Sequence, residues 1–168
     1  KKYADYMRFL STQAKDNKPF YHHTEIGYNY RMSNVLAAIG VGQMEVIEDR
    51  IKRTREVNQI YRKEVGDLFY SFQEERETDR SNMWLTCALM KGEDRPDDLI
   101  KHLAEDNIEA RRLWKPMHQQ PVMQDYKKYI NGNSSLLFLQ GICLPSGSDL
   151  TKSDMKRIIK SIKTFFKK

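Results

Sequence analysis

The sequence predicts an α+β (α/β) chain: one long helix, then a small domain whose helices cover one face of a short sheet. Three observations carry this. From about 34 to 65, Leu36, Ile39, Gln43, Ile47, Ile51, Val57, Ile60, Tyr61 and Val65 recur at three-to-four spacing, the period of an amphipathic helix. An alternating stretch at 69–73 reads as a strand, short apolar runs follow at 83–90 and 142–145, and the run from Met83 to Met90, bounded by turn residues, reads as a buried strand. Helical patterns lie between and after these runs, at 96–107 and from 151 onward, and so tight an alternation points to helices layered on a sheet.

Each element has its local reason. Tyr3, Tyr6, Met7 and Leu10 give residues 2–10 a helical spacing, and the polar stretch 15–24, with Asn17 and Pro19, reads as a loop. Ser33 is placed to cap the long helix. Ala37, Ala38, Gly40 and Gly42 make its first turns slim enough for another helix to approach. Each glycine costs about 1 kcal/mol relative to Ala, so packing is expected to compensate. Gly66 is placed to end the helix. Residues 74–81 and 91–94 read as turns, and Pro96 suits a helix start. Ile108 to Arg111 reads as a strand. Pro116 and Pro121 exclude regular structure around an ordered loop at 113–121. Short helices are expected at 122–130 and 134–141. Thr151 with Asp154 approximates a capping box that opens a last amphipathic helix, apolar at Met155, Ile158, Ile159 and Ile162 and lysine-rich opposite.

Composition excludes several classes. No apolar run approaches the ~18 residues of a membrane span, and Lys1 to Arg8 lacks the apolar core of a secretory signal. Cys87 and Cys143 sit in apolar surroundings without CxxC spacing, so free thiols in a reducing, cytoplasmic setting are expected. The net charge of +6 would steer anionic partners, but the basic residues are spread along solvent faces or gathered at the C-terminus, without a recognition motif. No nucleic-acid or membrane partner is expected. His22 and His23 are adjacent and face different ways, so no metal is expected either.

The polar chemistry concentrates in His22-His23-Thr24-Glu25-Ile26-Gly27-Tyr28-Asn29-Tyr30-Arg31-Met32-Ser33-Asn34. Gly27 lets the backbone turn where a Cβ would clash. An amide, Asn29, and a guanidinium, Arg31, alternate with two aromatic rings just before a helix N-terminus. Arg supplies a planar fork of donors and Asn a neutral donor, which suits a phosphate or a carboxylate. The alternative is a polar loop that only caps the helix.

These residues carry a resemblance. Glu25-Ile-Gly-Tyr-Asn-Tyr-Arg-Met-Ser-Asn-Val-Leu-Ala-Ala-Ile-Gly40 resembles the signature of the DegT/DnrJ/StrS family of pyridoxal-phosphate (PLP) sugar aminotransferases. The stretches 108–122 (IEARRLWKPMHQQPV) and 141–151 (GICLPSGSDLT) fit as well, in the same order and spacing, and 8–14 is similar too. The resemblance implies the aspartate aminotransferase fold (fold type I), of which this chain would be a C-terminal portion: 1–33 the tail end of the large PLP domain, 34–66 a long linking helix, 67–168 the small domain with a short, mostly antiparallel sheet. It implies amination of a nucleotide-diphosphate keto-sugar, with glutamate the expected donor, in cell-surface polysaccharide or glycan precursor synthesis.

It also implies a homodimer with the site shared across the interface. Asn29 matches the residue that touches the PLP phosphate from the neighbouring subunit. Arg31 matches a basic residue near the substrate or donor carboxylate, and His118 a histidine that approaches the sugar nucleotide. Trp114 and His23 are further substrate candidates. The family's Schiff-base lysine precedes the Gly-Tyr-Asn-Tyr-Arg motif. The lysines before Gly27 are Lys1, Lys2, Lys15 and Lys18, none in a suitable context, so the chain alone is not expected to transaminate. One departure stands out: Arg112 replaces a proline the family usually has before Leu-Trp, which either loosens the loop or offers a guanidinium to a diphosphate. A non-catalytic binding or dimerisation module of the same fold is the alternative.

Overall fold

The computed structural model describes residues 1–92 and 95–167. The chain divides into two compact units, Lys1–Ile47 and Glu48–Lys168.

In the first unit, α1 (Lys2–Ser11) runs into a polar segment that turns back on its end. Tyr28 N–H donates to the Leu10 carbonyl (3.1 Å), Tyr30 N–H to that of Ser11 (3.0 Å) and Gln13 N–H to that of Tyr28 (3.2 Å). Gln13 and Ala14 take left-handed φ values of 67° and 49° to close the helix, and Ala14 is fully buried. Gly27 lies directly against this closure. A Cβ there would stand 2.5 Å from Ala14 N and 2.6 Å from the Leu10 carbonyl oxygen, so only glycine fits.

The helical stretch expected over 34–65 forms in two pieces. α2 (Asn34–Glu45) begins at Ser33, whose hydroxyl accepts the Leu36 N–H (3.3 Å), as its position predicted. Val46 leaves the helix (φ −114°, ψ 4°), its N–H closing a tight turn on the Gln43 carbonyl. α3 (Ile47–Val65) then resumes. No residue of α2 is buried, and the positions a Cβ would take at Gly40 and Gly42 are open, so within the described residues nothing occupies its slim face.

In the second unit α3 ends at Val65 in a 3₁₀ turn, Gly66–Leu68. Then come β1 (Ser71–Phe72), β2 (Thr86–Leu89), α4 (Pro96–Glu105), β3 (Arg111–Arg112), α5 (Asn133–Gln140), β4 (Gly141–Leu144) and α6 (Lys152–Phe165). The four strands form one antiparallel sheet in the order β1-β2-β4-β3, which confirms the mixed fold with a short antiparallel sheet. Val57, Tyr61 and Val65 of α3, Leu99 and Leu103 of α4, and Met155, Ile158 and Ile162 of α6 form one buried cluster with Ala88, Ile142 and Leu144. Side chains alternate along a strand, so the helices cover one sheet face and Cys87 and Cys143 fall on the other. These two are cross-strand partners and free thiols, with Sγ atoms 3.7 Å apart. Gly141 sits where a Cβ would collide with the Leu137 carbonyl and the Leu113 side chain, which fixes the tight passage from α5 into β4.

Three expectations need correction. Residues 122–130 are not a helix: a 3₁₀ turn at Pro121–Met123 gives way to irregular chain. Val122, Tyr126, Tyr129 and Ile130 are all exposed, and nine residues with no face to bury do not sustain a helix in water. The strand expected over 83–90 begins only at Thr86, and the one expected at 108–111 is two residues long at Arg111–Arg112. Of the turn expected at 91–94, Glu93 and Asp94 lie outside the described residues.

Candidate cofactor and substrate residues

The backbone of the Gly27–Arg31 segment is clamped to the end of α1, while its side chains stay exposed. Thr12 and Asn29 form an isolated antiparallel bridge. Tyr28 and Tyr30 stack on each other, centroids 5.5 Å apart and planes 20° from parallel. The rings therefore share one side of the extended segment, and Asn29, between them in sequence, faces the other way. The amide is not sandwiched between the rings. Among the described residues neither Asn29 nor Arg31 makes a side-chain hydrogen bond or ion pair, and both are exposed, so their donors are free for an anionic ligand.

The flanking polar residues are already engaged. His22 Nδ1 lies 2.7 Å from Asp16 Oδ2, and Thr24 Oγ1 donates to Asp16 Oδ1 (3.1 Å). The His22 ring, with help from Thr24, holds the Asp16 carboxyl below its usual pKa. Tyr6 donates its hydroxyl to Glu25, which pushes the phenol pKa up. His23 Nδ1 stands 2.9 Å from the Gln13 carbonyl oxygen, so one ring nitrogen of this candidate is occupied by backbone and the other is left for a ligand.

In the second unit, β3 runs straight into the loop with Trp114 and His118. Trp114 is 68% exposed. His118 lies in a 3₁₀ turn, Met117–Gln119, with Nε2 3.0 Å from Ser135 Oγ at the start of α5, and Gln119 donates to the same oxygen (3.0 Å). His118 lines an open groove of about 460 Å³ with Met117, Tyr126, Tyr129 and Ser134. Arg112 does not offer its guanidinium to a ligand. It grips Asp97 at the N-terminus of α4 with two bonds (2.6 and 2.9 Å), donates to the Phe138 carbonyl (3.1 Å) and lies over the Phe138 ring (5.1 Å). The Arg112 hydrogen bond lowers the Asp97 pKa. The side chain thus ties β3, α4 and α5 together.

Sequence reasoning missed Trp84. It belongs to no strand and stands exposed beside Trp114. The available signal was the Ser81-Asn82 pair, a turn former directly before the apolar run.

Among the described residues no group of three or more His, Cys, Asp or Glu side chains is placed to hold a metal ion, and no helix is long and apolar enough to cross a membrane.

Comparison with known proteins places these residues in context. The putative pyridoxal phosphate-dependent aminotransferase EpsN of Bacillus subtilis is 40% identical over 164 residues, covering 95% of this chain and 42% of EpsN. The GDP-perosamine synthase of Escherichia coli O157:H7 is 35% identical over 147 residues, covering 87% of this chain and 40% of the synthase. The chain therefore spans about two fifths of the length of the curated relatives it matches. Two solved structures share the fold. Helicobacter pylori PseC, an aminotransferase of pseudoaminic acid biosynthesis, has a TM-score of 0.82 at 19% identity, over 97% of this chain and 46% of PseC. The putative sugar aminotransferase Spr1654 of Streptococcus pneumoniae, solved in a PLP form, has a TM-score of 0.82 at 18% identity, over 99% of this chain and 44% of Spr1654. The model of the DegT/DnrJ/EryC1/StrS aminotransferase family matches residues 1–163, and the chain belongs to that family.

Proposed function

We propose that this chain is the C-terminal portion of a PLP-dependent aminotransferase that moves an amino group, from glutamate, onto a nucleotide-linked keto-sugar. In this reading 1–33 end the large domain, 34–66 link the domains and 67–168 form the small domain. The observation that carries the proposal is the Gly27–Arg31 segment: a backbone fixed by hydrogen bonds and by a glycine no other residue can replace, presenting the free donors of Asn29 and Arg31. The name of one relative supports the substrate class, since GDP-perosamine is an amino sugar carried on a nucleotide.

When bound, PLP supplies the electron sink for the transfer. The chain's own residues bind and orient. The Asn29 amide donates to a phosphate oxygen of the cofactor held by a partner subunit in a homodimer. Arg31 pairs with the donor carboxylate, where its planar fork gives two parallel bonds. His118, fixed by Ser135, and Trp114 face the sugar nucleotide, and His23 is a separate substrate candidate in the first unit. The apolar, uncovered α2 is the surface the rest of the dimer would bury. None of Lys1, Lys2, Lys15 and Lys18, the lysines before Gly27, suits the Schiff base, so that lysine would come from the longer protein and the chain alone carries no transaminase activity.

In the longer protein that contains this chain, Asn29→Ala is expected to weaken PLP retention roughly tenfold or more, the loss of one hydrogen bond to a charged group. Gel filtration followed by measurement of the bound cofactor reads this. Equal retention would show that Asn29 does not touch the phosphate.

A further inference from the structure

The chain has two tryptophans, and they meet. The Trp84 and Trp114 ring centroids are 6.4 Å apart, with planes tilted by 39°, and the residues are 64% and 68% exposed. Indoles offer more apolar area than any other side chain, and two left together in water are an unspent source of binding energy.

The backbone goes out of its way to put Trp84 there. Thr86, Ala88 and Met90 point to the core, so strand alternation alone would bury Trp84 with them. Instead Met83 adopts a left-handed φ of 49° and is itself buried, and the chain bends at Trp84 and Leu85. A methionine at positive φ is a costly conformation that surrounding structure must enforce. That structure is present. Ser81 Oγ accepts the Met83 N–H (3.1 Å) and Asn82 Oδ1 accepts the Trp84 N–H (3.2 Å). Thr54 of α3 donates to the Asn82 carbonyl. Arg55, paired to both oxygens of Glu75 (2.9 Å each), donates to the Ser81 carbonyl. The turn is thus tied at four points, and a platform fixed in advance loses little entropy when a ligand stacks on it.

We infer that Trp84 and Trp114 together form a ring-stacking platform for the nucleotide sugar, with Trp84 as a binding residue in its own right. The inference rests on the nucleotide-sugar reading of the substrate. Ring stacking is shared by a nucleobase and by the apolar face of a hexose, and the ligand carries both.

Because both tryptophans of this chain sit at this one place, emission excited at the red edge, where its nine tyrosines do not absorb, reports on it alone. Emission is titrated with UDP and GDP, with UDP-glucose and GDP-mannose, and with inorganic pyrophosphate. Saturable quenching by the nucleoside diphosphates supports stacking of the base. Quenching only by the nucleotide sugars supports stacking of the sugar ring. In either case Trp84→Ala should weaken binding roughly 10- to 100-fold, as for the loss of one stacked ring, while Trp84→Phe keeps most of it. Trp114→Phe leaves Trp84 as sole reporter and should still show the change. No response to any nucleotide, an equal response to pyrophosphate, or unchanged binding in Trp84→Ala would overturn the inference. The titration needs neither cofactor nor turnover, so it fails or succeeds separately from the aminotransferase reading.

Discussion

Arg112 shows how much one side chain changes a local reading. In sequence it stands where the family resemblance leads one to expect proline, and a free guanidinium beside a substrate loop suggests a diphosphate ligand. Its donors are spent on Asp97 and the Phe138 carbonyl. Arg112→Ala should therefore cost stability, by about 1–2 kcal/mol given that Asp97 is half exposed, and leave nucleotide binding unchanged. Urea unfolding and the emission titration check the two halves. Glu75 gives a pH signature. The Arg55 hydrogen bond, helped by the Ser81 N–H, lowers its pKa to about 2, against ~4.3 in an unfolded chain. A depressed carboxyl stabilises the fold above the unfolded value and loses that contribution as pH falls through the folded one. The urea midpoint should thus fall between about pH 4.3 and about pH 2. Glu75→Gln should flatten that part of the profile, and an identical profile in the variant would contradict the assignment.

At the scale of elements, sequence pattern served well wherever a face had something to pack against. The last helix is the best case. Thr151 accepts the Asp154 N–H (3.1 Å) and Asp154 returns a bond to the Thr151 N–H (2.9 Å), closing the capping box that the spacing suggested. Thr151→Ala should cost about 1 kcal/mol, read as a lower urea midpoint at unchanged slope. The pattern failed where periodicity had no partner. Tyr126, Tyr129 and Ile130 repeat like a helix face but stay exposed, lining only an open groove. It failed again at single backbone events. Val46 is an ordinary residue in an unbroken helical pattern, yet its dihedrals interrupt the helix. Met83 looks like the start of a strand, yet its positive φ turns Trp84 outward. The Met83 turn is held by tertiary ties, Thr54 and Arg55 reaching to the 81–82 carbonyls, which no local window contains.

Over the whole molecule, the second unit was legible as helices on a sheet because one apolar cluster organises it. The sheet order was not, since pairing β4 between β2 and β3 depends on contacts far apart in sequence. Residue types and spacing singled out the candidates proposed here: Gly27, Asn29 and Arg31 in the first unit, and Trp114 and His118 in the second. What the sequence could not supply was which donors are free. Arg112 and Asp16 are committed to neighbours, while Asn29 and Arg31 have no side-chain partner among the described residues. That distinction supports a phosphate and a carboxylate as the ligands of this segment.

The most direct test of that claim is visible absorbance of the longer protein containing this chain, after loading with PLP and then adding glutamate. We expect a protein-bound cofactor band that shifts as glutamate is consumed, a shift much weakened in Arg31→Ala. A protein that acquires no such band, or whose band ignores glutamate, would contradict the aminotransferase reading and leave a non-catalytic module of the same fold.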